Sequence, residues 1–257
     1  MLVINDLSQQ KELEENVRRT DHLAHLGMVA AGLAHEIKNP LAGIRGAAQL
    51  LQGKFIADSQ AHDYTKVMIR EIDRLNALLE RLLQLTALPR LERRPTNIHK
   101  VLTDVLLLEK ETAPRNVAIL TRFDPSLPEV LGDETQLTQV FRNLIKNALQ
   151  ALTNRPVATL TLTTRMETDF HILYPRNRRG RLLSIDIEDN GPGIAPEHLP
   201  LLFTPLFTTK SGGAGLGLAL SQRIITEHGG TIRVESEPGR GAVFRVILPI
   251  VTPTDAQ

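Results

Sequence analysis

The chain has 257 residues, 42% of them hydrophobic, and a formal net charge of +1. That is enough for a sizeable core in one or two domains, without the basic excess that draws a protein to nucleic acid or an anionic membrane. Cysteine and tryptophan are absent and the eight histidines have no metal-ligand spacing, which excludes disulfides and thiolate metal centres. No apolar run of about 18 residues and no signal-peptide pattern occurs, so a soluble cytoplasmic chain is expected.

At the N-terminus, Leu2 to Ile4 suit a short β segment, and the Gln-, Lys- and Glu-rich run after Asp6 suits a solvated helix. This pattern resembles the last strand of a PAS sensor domain entering its signalling helix; an ordinary polar extension is the alternative. A long helix follows, from about Gln9 to Gln52. Its apolar residues Leu26, Ala30, Leu33, Ile37, Ile44, Ala47 and Leu51 recur at helical steps and predict one buried stripe. His35 is turned away from that stripe, Glu36 is its neighbour, and Asn39 lies one turn on, on the same face. A neutral imidazole beside a carboxylate is a nucleophile with a base. Pro40 should kink the helix just after this site.

Gly53 to Gln60 reads as a turn, and a second helix runs from about Ala61 to Ala87. Its stripe is Tyr64, Met68, Ile72, Leu75, Leu79, Leu82 and Leu83. Two antiparallel helices cannot bury both stripes alone, so a dimeric four-helix bundle is the economical solution. Packing against the chain's own second domain is the alternative. Pro89 to Thr96 reads as a charged linker.

From Asn97 the pattern becomes mixed α/β. Ile98 to Lys110 predicts a helix with Ile98, Val101, Leu102 and Val105 inward, and Val117 to Phe123 a strand. Pro125 and Pro128 mark a loop. Asp133 and Gln136 have capping-box spacing at the start of a helix with Leu137, Phe141, Leu144, Ala148 and Leu152 inward. Asn143 and Asn147 share its other face. Strands follow at Val157 to Met166 and Leu182 to Glu188, with a basic turn between them, and a hairpin at Thr231 to Ser236 and Ala242 to Ile250.

Four segments here carry chemistry. The Asp189-Asn190-Gly191-Pro192-Gly193 turn follows a strand; its carboxylate can accept from an exocyclic amine. Gly213, Gly215 and Gly217 open a helix whose bare N–H groups suit phosphate, with Lys210 just before them. Asn143 and Asn147 offer neutral oxygens that suit Mg²⁺. Neither a P-loop nor a dinucleotide fingerprint is present.

The string His-Glu-Ile-Lys-Asn-Pro at 35–40 resembles the phospho-accepting box of two-component sensor histidine kinases. The four later segments resemble the N, G1, F and G2 boxes of the GHKL ATP-binding fold. Together the resemblance covers about residues 23 to 250. It implies a helical dimerisation hairpin followed by an α/β sandwich ATP-binding domain. The implied domains are 1–20 (end of a sensor domain or signalling linker), 21–90 (dimerisation and histidine phosphotransfer), 91–96 (linker), 97–251 (catalytic) and 252–257 (tail). It implies ATP and Mg²⁺ as cofactors and phosphorylation of His35, with Glu36 as base and Asn39 positioning water for dephosphorylation of the partner. By the same resemblance Asn143 and Asn147 form the N box, with Asn147 as Mg²⁺ ligand. Asp189 contacts adenine, Gly191 and Gly193 shape its pocket, Phe203 and Phe207 sit in a lid, and Lys210, Gly213, Gly215 and Gly217 serve the phosphates. Leu206, Gln150 and Ala151 depart from the family pattern. The wording AHEIKNPLAGIRGAAQLL, FDPSLPEV and NALQAL resembles nitrogen-regulatory kinases of NtrB type. That implies a homodimer, an NtrC-type response regulator as partner and tuning by PII signal proteins. A GHKL ATPase that couples hydrolysis to conformational change, without protein phosphorylation, is the alternative.

Overall fold

A computed structural model describes residues 37–53, 59–86, 91–111, 113–114, 116–153, 155–167, 181–210 and 214–250. The chain divides into two compact units after Pro89.

The first unit contains helix α1 (37–53) and helix α2 (Ser59–Thr86). Lys38 pairs with Glu80 at 3.1 Å and Arg45 with Asp73 at 3.0 Å. Seven residues forward on α1 thus match seven residues back on α2, and the helices run antiparallel. These exposed pairs set register more than stability. The seam between the helices holds Leu41, Ile72 and Leu79, with Leu83 packed against them. Ala48 is fully buried, and the buried Thr65 donates its hydroxyl to the His62 carbonyl at 2.8 Å.

Within one chain the apolar stripes read from the sequence are only partly covered. Ile37, Ile44 and Leu51 stay 42%, 48% and 41% exposed, and so do Tyr64 (62%), Met68 (43%) and Leu75 (47%). The apolar face of each helix is wider than one partner covers. Leu41 and Ala48 lie on its edge, about 40° around α1 from Ile37 and Ile44 respectively. That edge meets α2, and the neighbouring edge stays open. The kink expected at Pro40 would free the carbonyl of residue 36, which lies outside the described residues, as do residues 1–20.

In the second unit, a mixed five-stranded sheet has the order β2 (Val117–Phe123), β4 (Ala158–Glu167), β5 (Arg181–Asp189), β7 (Gly241–Ile250), β6 (Thr231–Glu237). The β2–β4 pair is parallel and the others antiparallel. Three helices pack together: α3 (Ile98–Lys110), α4 (Glu134–Ala151) and α5 (Gly217–Glu227). Asn97 caps α3 by accepting from the Lys100 N–H, and Asp133 caps α4 by accepting from the Gln136 N–H at 3.1 Å. Phe141, Leu137, Leu144 and Leu152 of the α4 segment are fully buried, as are Leu160, Leu162, Ile185 and Ile187 of the sheet. Alternate sheet residues supply these positions because the strand period is two. This is the α/β sandwich read from the sequence.

Three short elements were not read from it. Arg94–Thr96, expected in the linker, form strand β1, antiparallel to β3 (Val130–Gly132). The ribbon is anchored by the buried Thr96, whose hydroxyl lies 3.1 Å from the Gly132 carbonyl. Pro95 is tolerated because a two-stranded ribbon needs few N–H donors. Pro196–Leu201 form a 3₁₀ helix. No helix among the described residues is long and apolar enough to cross a membrane.

Candidate functional site

Strand β5 ends at Asp189, whose side chain is only 5% exposed. Its Oδ1 accepts from the Gly191 N–H at 2.9 Å, and the Ala242 N–H also donates to the carboxylate. Burial pushes this carboxyl above its ordinary pKa, and Glu188 adds to the rise; the two N–H donors and Lys210 oppose it. Asn190 extends the sheet by one rung with its side chain. Its Oδ1 accepts from Thr159 N–H at 2.8 Å and its Nδ2 donates to the Val157 carbonyl at 2.9 Å.

The rest of the turn is strapped to the β6–β7 hairpin. Gly239 N–H donates to the Pro192 carbonyl at 2.7 Å, and Ile194 N–H to Ser236 Oγ at 2.9 Å. Gly193 has φ +72°, and a Cβ there would run into the Glu237 carbonyl, so only glycine fits. Arg155, just after α4, donates to the carbonyls of Gly191 and Gly239. One guanidinium therefore ties the turn carrying Asp189 to the opposite hairpin.

Asn143 and Asn147 lie half-exposed on α4. Asn143 Nδ2 donates to Ser221 Oγ on α5 at 3.0 Å, and its Oδ1 lies where a Cβ on Gly217 would be. Gly217 is the first residue of α5, and Leu216 before it supplies no side-chain cap. The first-turn N–H groups therefore present a partial positive charge. Gly215 precedes them with φ +65° and accepts from Leu206 N–H at 2.9 Å. Leu206 itself has φ +68°, a costly conformation for a branched side chain. The Phe207 ring leans on His198, with centroids 5.6 Å apart, and Phe203 is half-buried.

Lys210 reaches back to α4. Its Nζ donates to Asn147 Oδ1 at 3.0 Å and to Gln150 Oε1 at 2.7 Å. Although the side chain is exposed over its length, desolvation at the ammonium lowers its pKa; Asp189 opposes this and Lys146 reinforces it. Asp189, Asn143, Asn147, Lys210, Gly191, Gly193, Gly215 and Gly217 thus belong to one connected site. Asn39 lies exposed on α1 in the other unit. His35, Glu36 and Gly213 lie outside the described residues.

The arrangement offers a carboxylate for an amine, a helix N-terminus and an ammonium for phosphates, and amide oxygens for a cation. The sequence did not point to Arg155, Ser221 or Ser236 as parts of it, and gave Asn190, within the Asp189 turn, no role. Arg155 and Ser236 act across turns, where no periodicity announces them. Gln150, three residues beyond Asn147 on the same helix face, carried a readable signal.

Residues 132–252 match the family described as histidine kinase-, DNA gyrase B- and HSP90-like ATPase, and residues 25–90 match the His Kinase A (phospho-acceptor) domain. The sensory histidine kinase/phosphatase NtrB of Escherichia coli O157:H7 is 43% identical over 245 residues, covering 92% of this chain and 68% of that protein. The chain belongs to the NtrB-type sensory histidine kinase family. The NtrB of Rhizobium leguminosarum bv. phaseoli is 39% identical, covering 97% of this chain and 65% of the relative. The chain thus spans about two thirds of these NtrB proteins. Full-length ShkA in complex with AMPPNP superposes with a TM-score of 0.71 at 28% identity, over 88% of this chain and 46% of ShkA. The histidine kinase ThkA in complex with the response regulator TrrA gives 0.62 at 26% identity, over 96% of this chain and 68% of that one. The protein-histidine kinase family, the fold class and the nitrogen-regulatory resemblance read from the sequence agree with these relatives.

Proposed function

We propose that this chain is the kinase core of a nitrogen-regulatory sensor. It phosphorylates itself on His35 at the expense of ATP and passes the group to an aspartate of a response regulator. The observation that carries this reading is the connected site of the second unit. Asp189 lies buried at a strand end, and Asn143 and Asn147 are linked to the uncapped N-terminus of α5 and to Lys210. The same chain carries a His-Glu-x-x-Asn string at 35–39.

In the proposed step a ring nitrogen of His35 attacks the γ-phosphorus, the bond to the ADP oxygen breaks, and Glu36 takes the ring proton. Asp189 accepts from the adenine amine. The α5 N-terminus and Lys210 face the phosphates, where catalysis is mainly positioning and charge stabilisation. Asn147 Oδ1 already accepts from a cation, so an Mg²⁺ ion fits this donor chemistry. When bound, the ion would neutralise phosphate charge. Asn39, exposed on α1, is free to orient water for hydrolysis of the regulator's aspartyl phosphate. ThkA's complex with TrrA supports a response regulator as partner; an NtrC-type regulator and tuning by PII proteins are what the resemblance to NtrB-type kinases implies. A cytoplasmic location goes with these partners. The open apolar edge formed by Ile37, Ile44 and Leu51 with Tyr64, Met68 and Leu75 supports a homodimeric four-helix bundle. The domain division is proposed as a dimerisation and phosphotransfer unit over 21–90, a linker over 91–96 and a catalytic unit over 97–251.

The test is incubation with γ-labelled ATP. An acid-labile, base-stable label that disappears in His35→Gln is expected, followed by its transfer to an NtrC-type receiver. Phosphate release with no phosphoprotein would replace the kinase by an ATPase.

A further inference from the structure

Asn147 and Gln150 are three residues apart on α4, so their side chains leave the helix on one face. Both amide oxygens converge on one donor, with Lys210 Nζ 3.0 Å from Asn147 Oδ1 and 2.7 Å from Gln150 Oε1. Two neutral oxygens meeting at a single positive charge make a seat for a cation. The ammonium has three donors and uses two of them here.

Mg²⁺ makes similar demands. It takes oxygen ligands, keeps several waters and needs only one or two protein groups. Its bonds, about 2.0–2.1 Å, are shorter than those to an ammonium, so the two amides would close in by small side-chain rotations. Two cations cannot share the seat, because their repulsion acts at a few ångströms in a partly desolvated place.

Building on the nucleotide-binding reading above, we propose that Asn147 and Gln150 form one two-oxygen cation seat that alternates between the Lys210 ammonium and Mg²⁺. Gln150 Oε1 is then a second protein oxygen for the metal, at a position where the family resemblance assigned none. Lys210 is the ion's competitor for that seat, and metal entry frees it.

Two measurements on the full chain test this. The first uses Mn²⁺ alone, without nucleotide, titrated by electron paramagnetic resonance. Lys210→Met removes the competitor and should tighten Mn²⁺ binding several-fold over the unsubstituted chain. Adding Gln150→Leu to Lys210→Met should abolish the gain. The second is calorimetry with a non-hydrolysable ATP analogue, in EDTA and in Mg²⁺. Gln150→Leu should leave the EDTA affinity within about twofold and cut the gain on adding Mg²⁺ by about tenfold, the loss of one oxygen ligand. Gln150→Glu should keep that gain. A merely structural Gln150 would lower both affinities alike, and that result overturns the proposal. So does Mn²⁺ binding to Lys210→Met that equals the unsubstituted chain. Failure of the unsubstituted chain to bind the analogue would instead sink the nucleotide reading, while the Mn²⁺ titration would still judge the seat.

Discussion

Asp189→Asn separates what the site needs from what the fold needs. The carboxylate is 5% exposed and burial raises its pKa, so its ionised form is held against desolvation. For stability the sign follows from linkage. A carboxyl whose folded pKa lies above its unfolded value contributes stability below the unfolded pKa, and loses it as pH rises through the folded one. At neutral pH the charge is therefore a burden on the fold. Asparagine removes the charge and keeps one oxygen for the Gly191 N–H, 2.9 Å away, so the melting temperature should hold or rise. Nucleotide binding should move the other way. A hydrogen bond from the adenine amine to a buried charged acceptor contributes about 1.5–3 kcal/mol. Its loss predicts about ten- to a hundredfold weaker affinity for an ATP analogue by calorimetry. In the unsubstituted chain, affinity should also fall as pH drops through the raised pKa, whereas Asp189→Asn should be flat there. Unchanged affinity in the variant, or a clear loss of melting temperature with the affinity kept, would refute the assignment of Asp189 to the base.

The other expectations concern the scaffold around that group. Arg155→Met leaves the carbonyls of Gly191 and Gly239 without their guanidinium donor. About 1–3 kcal/mol of stability should be lost in urea unfolding, with weaker nucleotide binding because the turn carrying Asp189 loosens. His228 is a latch: it accepts from Asp133 N–H on Nε2 at 3.0 Å, so Nδ1, 2.8 Å from the Ile224 carbonyl, carries the proton. Burial lowers its pKa, and Arg93 adds to this; the Ile224 carbonyl and the charges of Asp133 and Glu227 oppose it. The stability of the neutral ring is present above the unfolded histidine pKa of about 6.5 and lost as pH falls toward the folded one. His228→Phe should therefore cost about 1–3 kcal/mol at pH 8, and thermal melts should show the gap narrowing by pH 5. Ile44→Asp puts a charge on the open edge of α1, where Ile44 is 48% exposed. Sedimentation should show a monomer where the unsubstituted chain sediments as a dimer.

What could be read in the sequence was what local periodicity and local chemistry write down. Helix α4 announced itself through Leu137, Phe141, Leu144, Ala148 and Leu152 at helical steps behind a capping aspartate, and each of these five is buried. Asp189 was legible only in company: alone its Asp-x-Gly-x-Gly segment reads as a plain turn, and the paired asparagines and the glycine run, in the order of the GHKL boxes, singled it out. The three-residue strands β1 and β3 were not legible. They pair across a separation of 36 residues, as at Pro95 and Leu131, and three residues carry no period. The apolar faces of α1 and α2 were visible, but their division into a covered and an open edge was not. Ile37 and Leu41 differ by about 40° around the helix, and only the position of the opposing helix decides which one is covered.

The same distinction separates the reacting groups from the groups that hold them. Asp189 and the α4 asparagines belong to segments whose order and spacing together singled them out. Arg155, Ser236 and Asn190 are ordinary polar residues until the fold gives each a carbonyl or an N–H to meet. Gln150 lies between these classes. It was noted only as a departure from the family pattern, and in the fold its oxygen accepts from Lys210, 60 residues away in the chain. A substitution next to a reacting group is therefore read by asking which distant residue compensates for it. For Gln150 the answer is an ammonium at 2.7 Å, a cation that must leave if a metal is to take the same oxygen.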